Sequence, residues 1–275
     1  RSRKIEALVK EAETLAANGA KEIILVAQDT TRYGIDIYQK KMLPELIREI
    51  SKIESVEWIR LLYCYPEEID DELINEVANN PKVCKYMDIP IQHASDRILK
   101  LMGRRGTIDD IRSALTKLRE NVPDIALRTS LIVGFPGETE EDFQQLVDFV
   151  EEFRFDRLGV FTYSKEEGTP AAKMKGQIRK NVKLSRQKTI LELQNTISSE
   201  INAKRVGKVY KAIVDGIADD GIFYYGRTFA EAPEIDGTVY FTSPEPLDIG
   251  SFVLIKILNS EDYDLIGEVI NELTK

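Results

Sequence analysis

Residues 126–143 read A-L-R-T-S-L-I-V-G-F-P-G-E-T-E-E-D-F. Ala126–Val133 has the composition of a strand, and Gly134, Pro136 and Gly137 those of a turn. Thr139-x-x-Asp142 then opens a helix that the pattern carries to Glu152. Strand, turn and helix in that order make one βα unit, and the unit recurs on both sides. Strands are expected upstream at Glu22–Ala27, Trp58–Tyr63 and Tyr86–Ile91, and downstream at Arg157–Tyr163. Between them lie helices at Leu43–Ile53, where Pro44 is tolerable in the first turn, at Asp70–Ala78 and at Thr107–Leu118. A leading helix shows apolar Ile5, Leu8, Val9, Ala12, Leu15 and Ala16 at helical spacing and is closed by Asn18-Gly19. Strands alternating with helices imply parallel βαβ units. The expected fold class is therefore α/β, as a partial (β/α) barrel with five visible parallel strands. A doubly wound open sheet has the same alternation, and periodicity alone does not separate the two.

Beyond a long polar helix at about Val182–Ala203 the pattern changes. Lys208–Val214, Ile222–Thr228, Thr238–Thr242, Phe252–Leu258 and Leu265–Val269 are strand-like stretches with no helix between them. Five short strands in that space suggest a small five-stranded antiparallel β-barrel of the oligonucleotide-binding type. The expected division is 1–204 for the partial barrel and 205–275 for the small one. Charge divides at the same place. Residues 205–275 carry six Lys or Arg and thirteen Asp or Glu, a balance of −7 out of −9 for the whole chain of 275 residues.

Composition bounds the possibilities. At 43% hydrophobic and 31% charged the chain can bury a core and is far from the signature of disorder. No apolar run approaches the ~20 residues of a bilayer span. Two cysteines do not make a disulfide scaffold and nothing resembles a signal peptide, so a cytoplasmic protein is expected. The negative net charge argues against a generic polyanion binder.

In a parallel barrel, reacting groups gather at the C-terminal ends of strands. Those ends are Gln28–Gly34, Asp88–Ser95, Arg128–Thr139 and Phe161–Pro170. Gly134, Pro136 and Gly137 suit either a plain strand-to-helix turn or the close approach of a flat ligand to backbone. His93, the one histidine, reads as structural. Cys64 and Cys84 read as buried thiols, not metal ligands, and no metal-binding residue is assigned. Arg128, if it faces inward, needs an anionic partner. Lys173, Lys175, Arg179, Lys180, Lys183, Arg186 and Lys188 form a run that reads as a solvated helix face, with nucleic-acid contact as the alternative.

Taken together, these segments resemble the radical-SAM methylthiotransferases. I-V-G-F-P-G-E-T-E-E-D-F at 132–143 is similar to the family's fourth-strand signature, and the terminal barrel is similar to its TRAM domain. V-A-Q-D-T-T-R-Y-G at 26–34, D-I-P-I-Q-H at 88–93 and Y-Y-G-R at 224–227 resemble the RimO-like branch, which modifies an aspartate of a small-subunit ribosomal protein. The resemblance implies methylthio transfer to the aspartate β-carbon. In that chemistry a [4Fe–4S] cluster cleaves S-adenosylmethionine to a radical that abstracts hydrogen, and a second [4Fe–4S] cluster carries the sulfur. It implies an external electron donor and a basic ribosomal protein as partner. A TRAM domain gripping tRNA should be basic, so at −7 a tRNA substrate is the less suited alternative. A non-catalytic RNA- or ribosome-binding module is the other.

The resemblance also assigns a cofactor cradle. Gln28, Asp29 and Thr30 occupy the loop that meets the methionine amino group, and Gln92 the strand end that contacts ribose. Ile132, Gly134 and Glu138 fall in the segment along the adenine, while Tyr163 and Ser164 complete the ring of strand ends. Arg128 would pair with a carboxylate of the cofactor or of the target aspartate. One departure is plain: the family's C-x-x-x-C-x-x-C motif does not occur here. In relatives it precedes a stretch like Arg1-Ser2-Arg3. The expectation is a fragment without the N-terminal domain and first barrel strand, binding no cluster and inactive alone.

Overall fold

A computed structural model describes residues 1–270; the last five residues of the expected second unit, 271–275, lie outside the described residues. Five parallel strands, β1 (Glu22–Leu25), β2 (Trp58–Leu61), β3 (Val83–Asp88), β4 (Ala126–Val133) and β5 (Arg157–Thr162), lie side by side in sequence order. Sequential order is that of a barrel sector. A doubly wound sheet would reverse its order at a switch point, so that alternative is set aside.

Eight helices accompany the described strands: α1 (Ile5–Ala17), α2 (Ile35–Tyr38), α3 (Leu43–Ser51), α4 (Asp71–Asn79), α5 (Asp96–Leu101), α6 (Ile108–Asn121), α7 (Glu140–Phe153) and α8 (Lys180–Ala203). Thr107 and Thr139 close capping boxes with Asp110 and Asp142 at the starts of α6 and α7, as their spacing predicts. Alternation along the strands sends Ile23, Ile59, Leu61, Met87, Leu127, Leu131 and Val160 outward into one core with the helices. The opposite residues, among them Glu22, Arg60, Tyr86, Asp88, Arg128 and Arg157, face the concave side.

The C-terminal unit is a closed barrel of β6 (Val209–Ile217), β7 (Tyr224–Arg227), β8 (Val239–Thr242), β9 (Phe252–Ser260) and β10 (Leu265–Val269). One correction applies: the ring is not wholly antiparallel, because β10 pairs with β8 in parallel. Bounds also differ from expectation: β1 stops at Leu25, β2 at Leu61, β7 covers only Tyr224–Arg227, α8 begins at Lys180, and the short α2 was not anticipated. β3 begins at Val83, where it pairs with Ile59, and ends at Asp88; β6 runs on to Ile217; and α5 was not anticipated.

The small barrel seals the strand-N-terminal end of the sector. Trp58, Cys84, Tyr86 and Ala126 on the concave side pack against Ile213, Ala230 and Ala232. Above this apolar contact the two units share buried ion pairs. Arg60, fully buried, bonds Glu22 at 2.6 Å and donates to Phe229 O at 2.7 Å. Arg227 pairs with both Glu22 and Asp215, each at 2.7 Å. Glu231 sits between Arg157, at 2.9 Å, and Arg205. Burial alone would raise the Glu231 carboxyl, but the two guanidinium groups hold it down to about 2. Removing one partner from such a buried set is costly, because it strands charge away from water.

Candidate functional site

The strand-C-terminal end is open. A cleft of about 1000 Å³ lies there, walled by Arg1–Arg3, the loops after β1, β2 and β3, the end of β4, and the turn after α5. Gln28 and Asp29 line it together with Gln92, Ile132 and Phe135. Thr30 lies behind the wall, buried: its Oγ1 donates to Leu62 O at 2.6 Å and accepts from Ala27 N at 3.1 Å, so it ties the β1 loop to the end of β2.

Gln92 carries the unusual backbone of the site. Its φ is +69°, a left-handed value that costs a non-glycine residue energy and persists only where surroundings over-determine it. Here its N–H donates to Ser130 O at 3.0 Å and its O accepts from Ile132 N at 2.8 Å. The strained peptide is held at the tip of β4, with the amide side chain at the cleft.

Apolar surface stands open around these groups. Val26 is 61% exposed, Phe161 58% and Tyr63 49%, all at or just beyond strand tips. Phe161 is the β-partner of Ile132 on the concave face. Bare apolar surface beside fixed amides and charged groups of both signs, Asp29 and Asp36 on one hand and Arg32 and Arg104 on the other, is the make-up of a site for a small ligand with an apolar and a polar part.

Arg128 lies one layer below, on the floor. Its Nη1 donates to Asp88 Oδ1 at 2.7 Å, and its Nε is 3.4 Å from Asp236 Oδ1. Burial opposes its charge, and Asp88, Tyr86 and Asp236 more than restore it. The anionic partner that an inward arginine demands is thus a pair of carboxylates, one from each unit of the fold. Asp236 in turn accepts from Tyr86 Oη at 2.7 Å and Ala232 N at 2.9 Å. A small-barrel side chain therefore reaches the floor beneath the cleft, a link across 108 positions that no local pattern announces.

Gly134, Glu138 and Tyr163 gather in a second cluster beside Phe135. Glu138 is buried; its Oε1 takes Arg186 Nη1 at 2.9 Å, and its Oε2 accepts from Gly134 N and from Phe135 N, the latter at 2.9 Å. Its carboxylate is spent on holding the turn, so it shapes the backbone there and does not face the cleft. Gly134 has φ +73°, and a Cβ would stand 2.3 Å from Lys183 Cγ. Lys183, which the sequence marks only as one of a basic run, donates to Tyr163 O at 2.6 Å and lies over the Tyr163 ring. Tyr163 meets Phe135 edge-on, and its hydroxyl is buried without a hydrogen-bond partner among the described residues. Ser164 is exposed at the start of the following loop. The expected residues thus fall into a cleft wall (Gln28, Asp29, Gln92, Ile132), a floor (Arg128), a buried tie (Thr30) and a flanking cluster (Gly134, Glu138, Tyr163), with Ser164 at its edge.

The wall suits the nucleoside and amino-acid ends of S-adenosylmethionine. An iron–sulfur cluster does not fit the chain's own thiols. Cys64 is buried in the loop after β2 and Cys84 on β3, and burial pushes the Cys84 thiol up to about 12 and Cys64 further. Among the described residues no three His, Cys, Asp or Glu group as metal ligands. No described helix is long and apolar enough to cross a membrane.

Comparison with known proteins bears on the same regions. Residues 1–150 match the radical SAM superfamily and residues 206–270 the TRAM domain. The chain is 66% identical over 275 residues to the ribosomal protein uS12 methylthiotransferase RimO of Acetivibrio thermocellus, covering 100% of this chain and 61% of that protein. It is 56% identical over 275 residues to the protein of the same name from Clostridium botulinum (strain Okra / Type B1), with coverage of 100% and 61%. The chain therefore spans about three-fifths of the length of the curated relatives it matches. Among solved structures, coproporphyrinogen III oxidase (HemN) from Escherichia coli, a radical SAM enzyme, aligns with TM-score 0.53 at 17% identity, over 82% of this chain and 59% of that one, a likeness of fold.

Proposed function

Because the chain belongs to the radical SAM superfamily, we propose that it is the core of a methylthiotransferase acting on the β-carbon of an aspartate in the small-subunit ribosomal protein uS12. The observation that carries this reading is the convergence of four strand tips on one cleft, with Gln28, Asp29, Gln92 and Ile132 in its wall. The two units divide near residue 205, between the end of α8 and the start of β6.

Bound S-adenosylmethionine supplies the hydrogen-atom abstraction that no acid or base on this chain can perform at an unactivated carbon. The chain's own contribution is to hold, orient and exclude water. Asp29 would meet the cationic amino end, with Gln28 beside it, and Thr30 keeps their loop tied to β2. Gln92 would hold the ribose edge, and half-buried Ile132 with the exposed Phe161 beside it would receive the ring. The turn at Gly134, braced by Glu138, Arg186 and Lys183, sets where the backbone runs, and Tyr163 and Ser164 border that side. Arg128, expected to take a carboxylate of the cofactor or of the target aspartate, has its charge met by Asp88 and Asp236 and instead positions the floor beneath the cleft.

An acidic small barrel supports a basic protein as partner. Asp215, Glu231 and Asp236 are turned into the junction, yet Asp219, Asp220, Glu245, Asp248, Glu261 and Asp262 stay exposed. Such a partner places the work in the cytoplasm, with an external electron donor. The test is mass spectrometry of uS12 from cells with and without the complete protein. A methylthio gain on its aspartate is the expected result. No gain, or instead a methylthio-adenosine lost from total tRNA, overturns the reading. Arg128→Glu in the complete protein should abolish turnover, and retained activity would remove Arg128 from the site.

A further inference from the structure

No acidic residue occurs from Gly168 to Leu191, and the basic run within that stretch does not form one helix face as its sequence suggests. The structure sorts it. Arg186 is buried on Glu138, Lys183 is drawn in over Tyr163, and Lys188 pairs with Glu192 at 3.6 Å. Lys173, Lys175, Arg179 and Lys180 remain exposed, and none has an ion-pair partner among the described residues.

Lys173 and Lys175 sit on a built loop, and Arg179 and Lys180 follow it at the start of α8. Gln177 Nε2 donates to Ala171 O at 3.1 Å and Met174 O at 3.2 Å, closing residues 171–177 on themselves. Gly137 N donates to Gly176 O at 2.9 Å, and a Cβ on Gly176 would stand 3.3 Å from Gly137, so the two glycines lock the loop to the turn after β4. Gly137 also takes Arg97 Nη2 at 2.7 Å from α5, and α5 leads into Arg104 and Arg105, which border the cleft. The cationic surface is therefore a margin of the cleft.

Arg179 and Lys180 open the 24-residue α8, whose first turn holds no acid. The positive end of the helix dipole thus receives more positive charge, the reverse of the stabilising arrangement. Such a concentration is relieved by an external anion. No aromatic residue occurs anywhere from Gly168 to Leu191. Protein interfaces favour aromatics and are poor in lysine, whereas contact with a phosphate backbone needs only spaced cations. The acidic small barrel lies at the other end of α8, about 36 Å away by helical rise.

We infer that Lys173, Lys175, Arg179 and Lys180 grip the backbone of an RNA segment at the margin of the cleft. The target aspartate would then be presented by a ribonucleoprotein surface, RNA at one pole of the molecule and basic protein at the other. The identity of that RNA rests on the proposed function; the binding itself does not.

The test is fluorescence anisotropy of the full chain with labelled single-stranded RNA of mixed sequence, across salt concentrations. Four single-strand phosphate contacts give a log–log salt slope of about 3, so between about 50 and 200 mM salt the wild type should lose about 50-fold in affinity through them. The variant Lys173→Gln/Lys175→Gln/Arg179→Gln/Lys180→Gln should lose most of that slope while melting like the wild type. A control, Lys4→Gln/Lys10→Gln on α1, should keep it. An unchanged slope in the fourfold variant, or displacement of the RNA by polyglutamate of equal charge, overturns the inference. Anisotropy needs no turnover, so failure of RNA binding and failure of uS12 modification are separately detectable.

Discussion

Replacing Glu231 by Gln tests whether the two units are joined as the buried ion pairs indicate. The substitution keeps shape and removes one charge from between Arg157 and Arg205, which are themselves buried. Stranding buried guanidinium groups in this way costs about 3–5 kcal/mol. Titration gives an independent figure: a carboxyl held down to about 2 from an ordinary 4.5 corresponds to about 3 kcal/mol. For a chain of this size that lowers Tm by about 10 °C. The pH dependence follows from the sign of the shift. A carboxyl lowered in the folded state contributes fully above its unfolded value of about 4.5, and the contribution is lost as pH falls through about 2. Calorimetry of wild type and variant should therefore show a large gap near neutral pH that closes between about pH 4.5 and 2. A gap under about 1 kcal/mol at neutral pH, or one that ignores pH, would refute the reasoning.

Gly134→Ala should cost about 2–3 kcal/mol in urea unfolding, from the left-handed backbone and the clash with Lys183 Cγ; adding Lys183→Ala should recover part, and no recovery would mean the clash is not the cause. His93 is buried, its Nδ1 accepts from Ser95 N at 3.0 Å, and burial, partly opposed by Asp142, lowers it to about 4. Its neutral form stabilises fully above about pH 6.5 and that contribution fades toward pH 4, so its ring resonances should stay flat from about pH 7 to 5; a midpoint near 6.5 contradicts the burial argument. Cys64 and Cys84 should resist iodoacetamide until the chain unfolds, and early labelling of either would show the thiols more open than described.

Local patterns were legible where local physics decides. Thr107-x-x-Asp110 and Thr139-x-x-Asp142 mark helix starts because the cap is made within four residues, and β4 runs over the bounds its composition indicates. Bounds set by a neighbour were not. β3 starts at Val83 because it pairs with Ile59, while the apolar Ile89 and Ile91, which suggested a later strand, follow its end at Asp88. The six-residue α5 is too short for a period to show, and its Ser95 hydroxyl bonds Asp142 at 2.7 Å instead of capping the helix. The parallel β8/β10 pair depends on how the ring closes, which composition does not specify. At the site, Gln28, Asp29, Gln92 and Ile132 were accessible from strand ends. The left-handed Gln92, the Arg128–Asp236 link and the placing of Lys183 over Tyr163 were not, since each depends on segments distant in the chain.

Filling the lower mouth of the strand sector with Ile213, Ala230 and Ala232 plugs that end of the concave surface. Approach from below is thereby denied, and a visitor to Gln28, Asp29 and Gln92 comes from the side of the strand tips. Where two visitors must meet at those tips, the deeper one seats first and the larger one lies over it as a cover.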